Sequence, residues 1–138
     1  DVTYSALIHW RWSQFERLRR SIIRVEFRDL LITNTEEYSI LVYIDLNSLP
    51  TLTDVANYLT MEKSTVSEFI KRCMNKELIK EEQSTKDKRK RFYSLTEKGK
   101  EVLLQCHVRM QTINDRLFSS LNKDEKQDVL KLLVRLNS

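Results

Sequence analysis

The scarcity of glycine and proline constrains this fold more than any other feature of the sequence. The 138 residues contain one glycine, Gly99, and one proline, Pro50. Sandwiches and barrels of β-strands need turn residues every few positions, so an all-β fold is nearly excluded. A phosphate-binding loop built on several glycines is excluded outright. The sequence therefore predicts a mainly α-helical chain, long enough to bury a substantial core as a single domain.

Two short helices separated by a tight turn are predicted in the middle of the chain. Residues 52–59 form the first, and residues 60–62 form the turn. In the second helix, apolar side chains recur at helical spacing, and these are Val66, Phe69, Ile70, Cys73 and Met74. A strongly amphipathic helix behind a short helix and a turn is typical of a helix-turn-helix unit.

The face of the second helix opposite this apolar stripe carries polar side chains. At 100° per residue, the candidate DNA contacts on or beside that face are Ser64, Thr65, Ser67, Glu68, Lys71 and Arg72. Small hydroxyl residues let a helix end approach a groove closely and offer hydrogen bonds to phosphates and base edges. Serine and threonine near a helix start are also ordinary capping residues, so both interpretations stand at this point.

The net charge is concentrated in one short segment. The chain has a formal net charge of +4, and residues 86–91 hold five basic side chains and one acidic one. Residues 78–84 and 91–95 predict two flanking strands, hence a hairpin with a loop of about four or five residues. The candidate contacts to a polyanion are Lys86, Asp87, Lys88, Arg89 and Lys90. A hairpin behind a helix-turn-helix predicts a winged helix, although a merely solvated basic loop is the alternative.

Both ends of the chain predict long helices with apolar stripes. Residues 3–30 form one of them, and a heptad-like seam follows residue 100. The seam residues are Leu103, Cys106, Met110, Ile113 and Leu117. A last helix follows the cap signal of Asn122 and Glu125.

These helices define the predicted organisation of the single chain, residues 1–138. Packing within one chain is the usual fate of an apolar stripe. Here, however, the terminal helices carry more apolar surface than a small lobe over residues 34–99 can cover. We therefore expect residues 3–33 and 100–138 to form a homodimer, with Leu103, Met110, Ile113 and Leu117 at the dimer seam.

The central motifs resemble the MarR family of bacterial winged helix-turn-helix transcription regulators. They are Ser64-Thr65-Val66-Ser67, Asp87-Lys88-Arg89 and Ser94-Leu95-Thr96-Glu97-Lys98-Gly99, all between about residues 50 and 100. The resemblance implies a dimer that binds a pseudo-palindromic operator in double-stranded DNA, commonly as a repressor released by a small-molecule effector. It also favours a helix over residues 38–46, where β-branched content leaves helix and strand open. Glu68 and Lys71 depart from the family, which more often has a basic and then an acidic residue there.

An aromatic cluster lies near the N-terminus. In proteins of the MarR family a ligand pocket lies between the dimer helices and the winged lobe, so the resemblance nominates Trp10, Trp12 and Phe15 as its lining. Packing of these side chains in a core or dimer interface is the competing interpretation, because aromatic residues dominate both.

The sequence supports no cofactor, no metal site and no catalytic centre. Only two histidines are present, whereas metal sites need three or four clustered ligands. Cys73 and Cys106 fall on apolar stripes and are interpreted as core residues. No residue set resembles a triad, an acid–base pair or a phosphate loop, so we do not expect an enzyme. The cysteine spacing and the lack of a long apolar run predict a cytoplasmic protein with no membrane partner.

Two functions from different classes are compatible with these features. The first is a sequence-specific DNA-binding regulator. The second is a winged-helix protein–protein interaction module with no specific DNA target. Binding to the protein's own upstream DNA, compared with random duplex, distinguishes them.

Overall fold

The computed structural model describes residues 1–138 and confirms a mainly α-helical winged-helix fold. The helices are α1 (Val2–Glu26), α2 (Thr35–Leu46), α3 (Leu52–Leu59), α4 (Lys63–Asn75), α5 (Glu97–Leu117) and α6 (Lys123–Leu136). Strand β1 (Ile79–Gln83) pairs antiparallel with β2 (Arg91–Leu95), and Ile79 lies opposite Leu95. Residues 38–46 are helical, as the resemblance favoured.

Side-chain caps fix where the helices begin. The side-chain oxygen of Asn34 accepts a hydrogen bond from the backbone N–H of Glu37 at 2.8 Å. Reciprocal capping boxes start α3, between Thr51 and Asp54, and α6, between Asn122 and the N3 residue Glu125. Each cap satisfies N–H groups that have no partner within the helix, so the sequence sets these boundaries locally.

The first helix ends at Glu26, earlier than the predicted residue 30. Phe27 and Ile32 are fully buried and turn the chain into the core. The guanidinium of Arg109, on α5, binds both carboxylate oxygens of Asp29 at 2.8 Å and the carbonyl oxygen of Glu26 at 2.6 Å. These contacts hold the non-helical segment 27–34 against α5, a constraint that the periodicity of α1 does not contain.

The single glycine lies where the hairpin meets α5. The backbone N–H of Thr96 donates to the carbonyl oxygen of Leu78 at 3.1 Å, and the Thr96 hydroxyl donates to that of Glu77 at 2.6 Å. A Cβ atom on Gly99 would collide with the Leu78 carbonyl. Only glycine therefore allows the start of α5 to lie this close to the start of β1.

The residues predicted to form the dimer seam pack inside the single chain instead of facing a partner subunit. Leu103 and Ile113 are 3% and 0% exposed within the single chain, and Cys106 is also buried. Met110 and Leu117 are half-buried against the same core. The stripe packs inside the subunit because α1 and α2 both lie against α5.

The uncovered apolar surface lies on other faces of the terminal helices. Helix α6 buries no residue at all in the single chain. The exposed large apolar side chains of the terminal helices include Ile8, Trp12 and Leu18 on α1, Leu104 and Val108 on α5, and Leu132, Val134 and Leu136 on α6. An amphipathic helix is stabilised mainly by burying its apolar face, and α6 leaves most of that face uncovered in one chain.

Candidate nucleic-acid interface

The turn between α3 and α4 sets the direction of the second helix. Thr60 adopts a left-handed conformation, with φ of 54°, and ends α3. The backbone N–H of Met61 donates to the carbonyl oxygen of Ala56 at 3.1 Å and closes the turn. On α4, Val66, Ile70 and Cys73 are buried, while Phe69 and Met74 are half-buried. The predicted amphipathic stripe therefore packs inward.

The opposite face of α4 is open. Ser64, Thr65, Glu68, Lys71 and Arg72 are exposed, and Ser67 is half-buried. Glu62, at the N-cap position, forms no side-chain cap hydrogen bond. The first backbone N–H groups of α4 are therefore not capped by a side chain and can donate to an approaching acceptor.

Two contacts arrange the charged side chains along this face. The ammonium of Lys71 lies 3.7 Å from the carboxylate of Glu68, one turn earlier. The guanidinium of Arg72 lies 5.4 Å from the ring centroid of Phe69. The three charged side chains are exposed, so these contacts are weak and can be exchanged for contacts with a ligand.

The hairpin loop is longer than the predicted four or five residues. Strand β1 ends at Gln83 and β2 begins at Arg91, so the loop comprises residues 84–90. The backbone N–H of Ser84 still donates to the carbonyl oxygen of Lys90 at 3.0 Å. The Ser84 hydroxyl accepts hydrogen bonds from the N–H groups of Lys86 and Asp87, each at 3.2 Å. Serine thus supplies the turn chemistry that a glycine-free loop needs.

An ion pair at the tip orients one arginine. One carboxylate oxygen of Asp87 accepts hydrogen bonds from the backbone N–H of Arg89 at 3.0 Å and from its guanidinium at 3.2 Å. The backbone hydrogen bond, followed by the guanidinium, holds the pKa of Asp87 below its usual range. The Arg89 side chain is nevertheless 91% exposed. It is oriented but free to bind.

The other basic side chains of the hairpin also leave positive charge exposed at its tip. Lys86, Lys88 and Lys90 are exposed and form no ion pair. Arg91 pairs with Glu81 on the neighbouring strand at 3.3 Å. The loop therefore presents several cations without partners at its tip, a surface suited to a polyanion.

An ion pair with a buried carboxylate, which sequence reasoning missed, links α2 to the end of α4. Glu37 is 1% exposed, and its carboxylate lies 3.2 Å from the ammonium of Lys76. The same ammonium donates to the carbonyl oxygen of Leu31 at 2.8 Å. The helix-cap pattern explains Glu37 at position N3, but no sequence spacing signals a partner 39 residues away.

The predicted aromatic pocket is only partly assembled. Trp12 and Phe15 line an apolar groove of about 430 Å³ between α1 and α6. Ile8, Phe118, Val129, Leu133 and the cation Arg11 complete its lining. Trp10 lies outside the groove, with the guanidinium of Arg11 4.9 Å from its ring centroid. The α6 residues were missed because sequence periodicity does not show which helices meet.

The two thiols are core groups. Burial raises the pKa of Cys73 to about 12 and that of Cys106 to about 11. A redox-sensing thiol needs the opposite, namely exposure and a lowered pKa.

Next to Cys106, the exposed His107 ring forms a 2.8 Å hydrogen bond with the hydroxyl of Tyr38. No group of three or more histidine, cysteine or carboxylate side chains is placed to hold a metal ion. No helix is long and apolar enough to cross a bilayer.

The central lobe matches a known family of DNA-binding domains. Residues 34–99 match the winged helix DNA-binding domain, and this range contains α4 and the hairpin. No curated protein matches this sequence.

Solved structures share the complete fold, terminal helices included. MarR from E. coli is 20% identical, with a TM-score of 0.77 over 96% of this chain and 95% of that one. BpsR from Bordetella bronchiseptica, whose DNA binding is regulated by 6-hydroxynicotinic acid, is 19% identical, with a TM-score of 0.85 over 96% and 99%. The repressor CouR, bound to a 23-mer DNA duplex, is 19% identical, with a TM-score of 0.89 over 98% and 95%. These likenesses confirm the resemblance to the MarR family in fold.

Proposed function

We propose that this chain, a winged helix DNA-binding domain within a MarR-type fold, is a homodimeric transcription regulator that binds a pseudo-palindromic operator. The observation that carries the proposal is the open polar face of α4 together with the basic hairpin tip, both within the matched residues 34–99. An α-helix fits the major groove of B-DNA, and a cationic loop attracts the phosphates next to it.

Helix α4 and the hairpin have different proposed roles in DNA binding. Side chains such as Ser67 and Lys71 can reach base edges, where hydrogen bonds distinguish one base pair from another. Arg89, whose guanidinium is hydrogen-bonded to Asp87, can enter the minor groove or lie along its phosphates. Such contacts carry little base identity. The helix therefore determines specificity, and the hairpin contributes general affinity.

Substitutions in the hairpin and in α4 should affect DNA binding in different ways. Arg89→Ala should weaken binding to operator and random duplex alike, and it should lower the salt slope by about one unit for each phosphate that the arginine neutralises. Lys71→Ala or Ser67→Ala should instead cost on the order of 1 to 3 kcal/mol at particular base pairs. Fluorescence polarisation at several salt concentrations, with the protein's upstream DNA and a scrambled duplex, measures both effects.

Arg135→Ala, in the last turn of α6, is the control for removal of one exposed arginine outside the lobe, and it should leave both duplexes bound as before. The assignment of roles fails if Arg89→Ala changes base preference and leaves the salt slope intact. If the wild type binds no duplex better than the scrambled one, the interaction-module alternative replaces the regulator.

Dimerisation is supported by the apolar surface that one chain leaves open. Fifteen of the nineteen exposed large apolar residues belong to α1, α5 or α6. Helix α6 buries none of its residues. A second copy of the chain would cover these helices through the same faces on both subunits, which is the usual symmetry of a homodimer. It would also place two copies of α4 for the two halves of an operator.

Charge on the open face of α6 should separate the subunits. Leu132 and Leu136 are 53% and 74% exposed, one helical turn apart. Replacing both with glutamate should leave the subunit folded and convert a dimer into a monomer, because an unpaired charge in an apolar interface is costly. Sedimentation at micromolar concentration reports the mass, and circular dichroism reports the fold.

Leu46→Glu is the matched control, since Leu46 is 76% exposed but lies in the winged lobe. It should remain dimeric. A wild-type protein that sediments as a folded monomer would contradict dimerisation, as would a double variant that stays a dimer.

Effector release is the third part of the proposal, and the groove between α1 and α6 supports it. Its lining is apolar apart from Arg11, a combination that suits a small aromatic anion. A ligand there would lie between two helices assigned to the dimer and could change how the subunits are oriented. We propose that such binding weakens DNA affinity, so that the dimer acts as a repressor when the groove is empty.

Ligand binding at this site should be visible at Trp12. A small aromatic acid that binds should quench tryptophan fluorescence and weaken operator binding together, and DNA should weaken the ligand by the same factor. Trp12→Phe should lose most of the quenching, whereas Trp10→Phe, outside the groove, should retain it. Quenching with no change in operator affinity would instead assign the aromatic residues to packing.

A further inference from the structure

Glu68 is an acidic side chain on the face of α4 that is proposed to bind DNA, where basic or neutral side chains are expected. It is the only acidic residue of α4, and its side chain is 67% exposed on the outer face. A carboxylate in a DNA interface repels the phosphates on which most non-specific affinity depends. Unless something in the groove binds it, Glu68 weakens the contact that α4 is placed to make.

The chemistry of the carboxylate limits what that partner is. An ionised carboxylate only accepts hydrogen bonds. The major groove offers two kinds of donor, the N4 amino group of cytosine and the N6 amino group of adenine. Glu68 is therefore suited to a base amino group and to no phosphate.

Lys71 narrows the choice to one kind of base pair. Its ammonium lies 3.7 Å from the Glu68 carboxylate, so the helix presents an acceptor and a donor side by side. In a G·C pair the cytosine N4 donor and the guanine O6 acceptor are joined by a hydrogen bond about 2.9 Å long and lie side by side in the groove. Guanine places N7 beside O6, so the lysine has two neighbouring acceptors. In an A·T pair the two acceptors, thymine O4 and adenine N7, lie on opposite sides of the adenine N6 donor, and O4 lies next to a methyl group.

We infer that Glu68 and Lys71 together read one G·C base pair in each half of the operator, with Glu68 on the cytosine amino group and Lys71 on the guanine. In free protein the two side chains neutralise each other, and because the pair is exposed it separates at little cost. Where no base amino group lies within reach of the carboxylate, its charge repels the nearby phosphates without compensation, so Glu68 also acts against non-specific binding. This inference rests on the proposed function and specifies the sequence that it recognises.

Selection from a random duplex library tests it with the full chain. Wild type should enrich a G·C pair at one position of each half-site. Glu68→Gln should lower the preference for G·C there by about tenfold and should tighten binding to random duplex, because a repelling charge is removed. Glu101→Gln, an exposed change of the same charge on α5, should alter neither.

Modified bases then assign each side chain to its partner on the selected site. N4-methylcytosine, which blocks the amino donor, should weaken wild type about tenfold and have little further effect on Glu68→Gln. 7-Deazaguanine, which lacks the N7 acceptor, should weaken wild type several-fold and have little further effect on Lys71→Met.

The outcomes distinguish failure of this inference from failure of the proposed function. If wild type enriches no sequence, the proposed regulator fails and the inference fails with it. If wild type enriches a clear site but Glu68→Gln enriches the same site with the same preference at every position, only the inference is overturned. An A·T pair at the position that depends on Glu68 would overturn it equally.

Discussion

Burial of the apolar stripe of α4 is the constraint on which the functional surface depends. Val66 and Cys73 are fully buried and Ile70 is 1% exposed, so the helix cannot rotate about its axis without exposing them. Burial of Val66 and Ile70 contributes roughly 1.5 to 3 kcal/mol each, so this one orientation of the helix is strongly favoured. The polar residues on the far side are held outward as a consequence. The orientation of the face proposed to meet DNA is thus set by the packing of the opposite, apolar face.

Polar contacts then connect this helix to the rest of the chain. Lys76, directly after α4, binds both the buried carboxylate of Glu37 and the carbonyl oxygen of Leu31. Arg109 holds the same linker, residues 27–34, against α5 through Asp29. The linker therefore contacts both Lys76 at the end of α4 and one of the terminal helices. A change in the arrangement of α1 and α5 has a direct physical route to α4, which is what effector release from DNA requires.

The elements that local chemistry determines were predictable from the sequence. The caps at Asn34 and Asn122, the stripe of α4 and the basic hairpin all depend on residues close together in the chain. The same is true of the Asp87–Arg89 pair, whose members are two residues apart. The resemblance to the MarR family, carried by these motifs, agrees with the fold that was found.

Features that depend on contacts between distant segments were missed or misplaced. Periodicity identified the stripe of Leu103 and Ile113 but not the helices that cover it, so it was assigned to a partner subunit rather than to α1 and α2. The early end of α1 depends on Asp29 and Arg109, which are 80 residues apart. The groove needs Phe15 beside Phe118, whose rings lie 6.0 Å apart across the two ends of the chain. No spacing within one helix encodes such pairings.

Affinity for paired half-sites as a function of their spacing tests the central claim most directly. The selected half-site is placed as an inverted repeat, with the centres one helical turn apart, about 10 base pairs, and then with about 5 more inserted. A dimer that presents two copies of α4 to one face of the duplex should bind the first tightly. It should bind the second, and a single half-site, much more weakly. Equal affinity for all three duplexes would contradict a dimeric reader of double-stranded DNA.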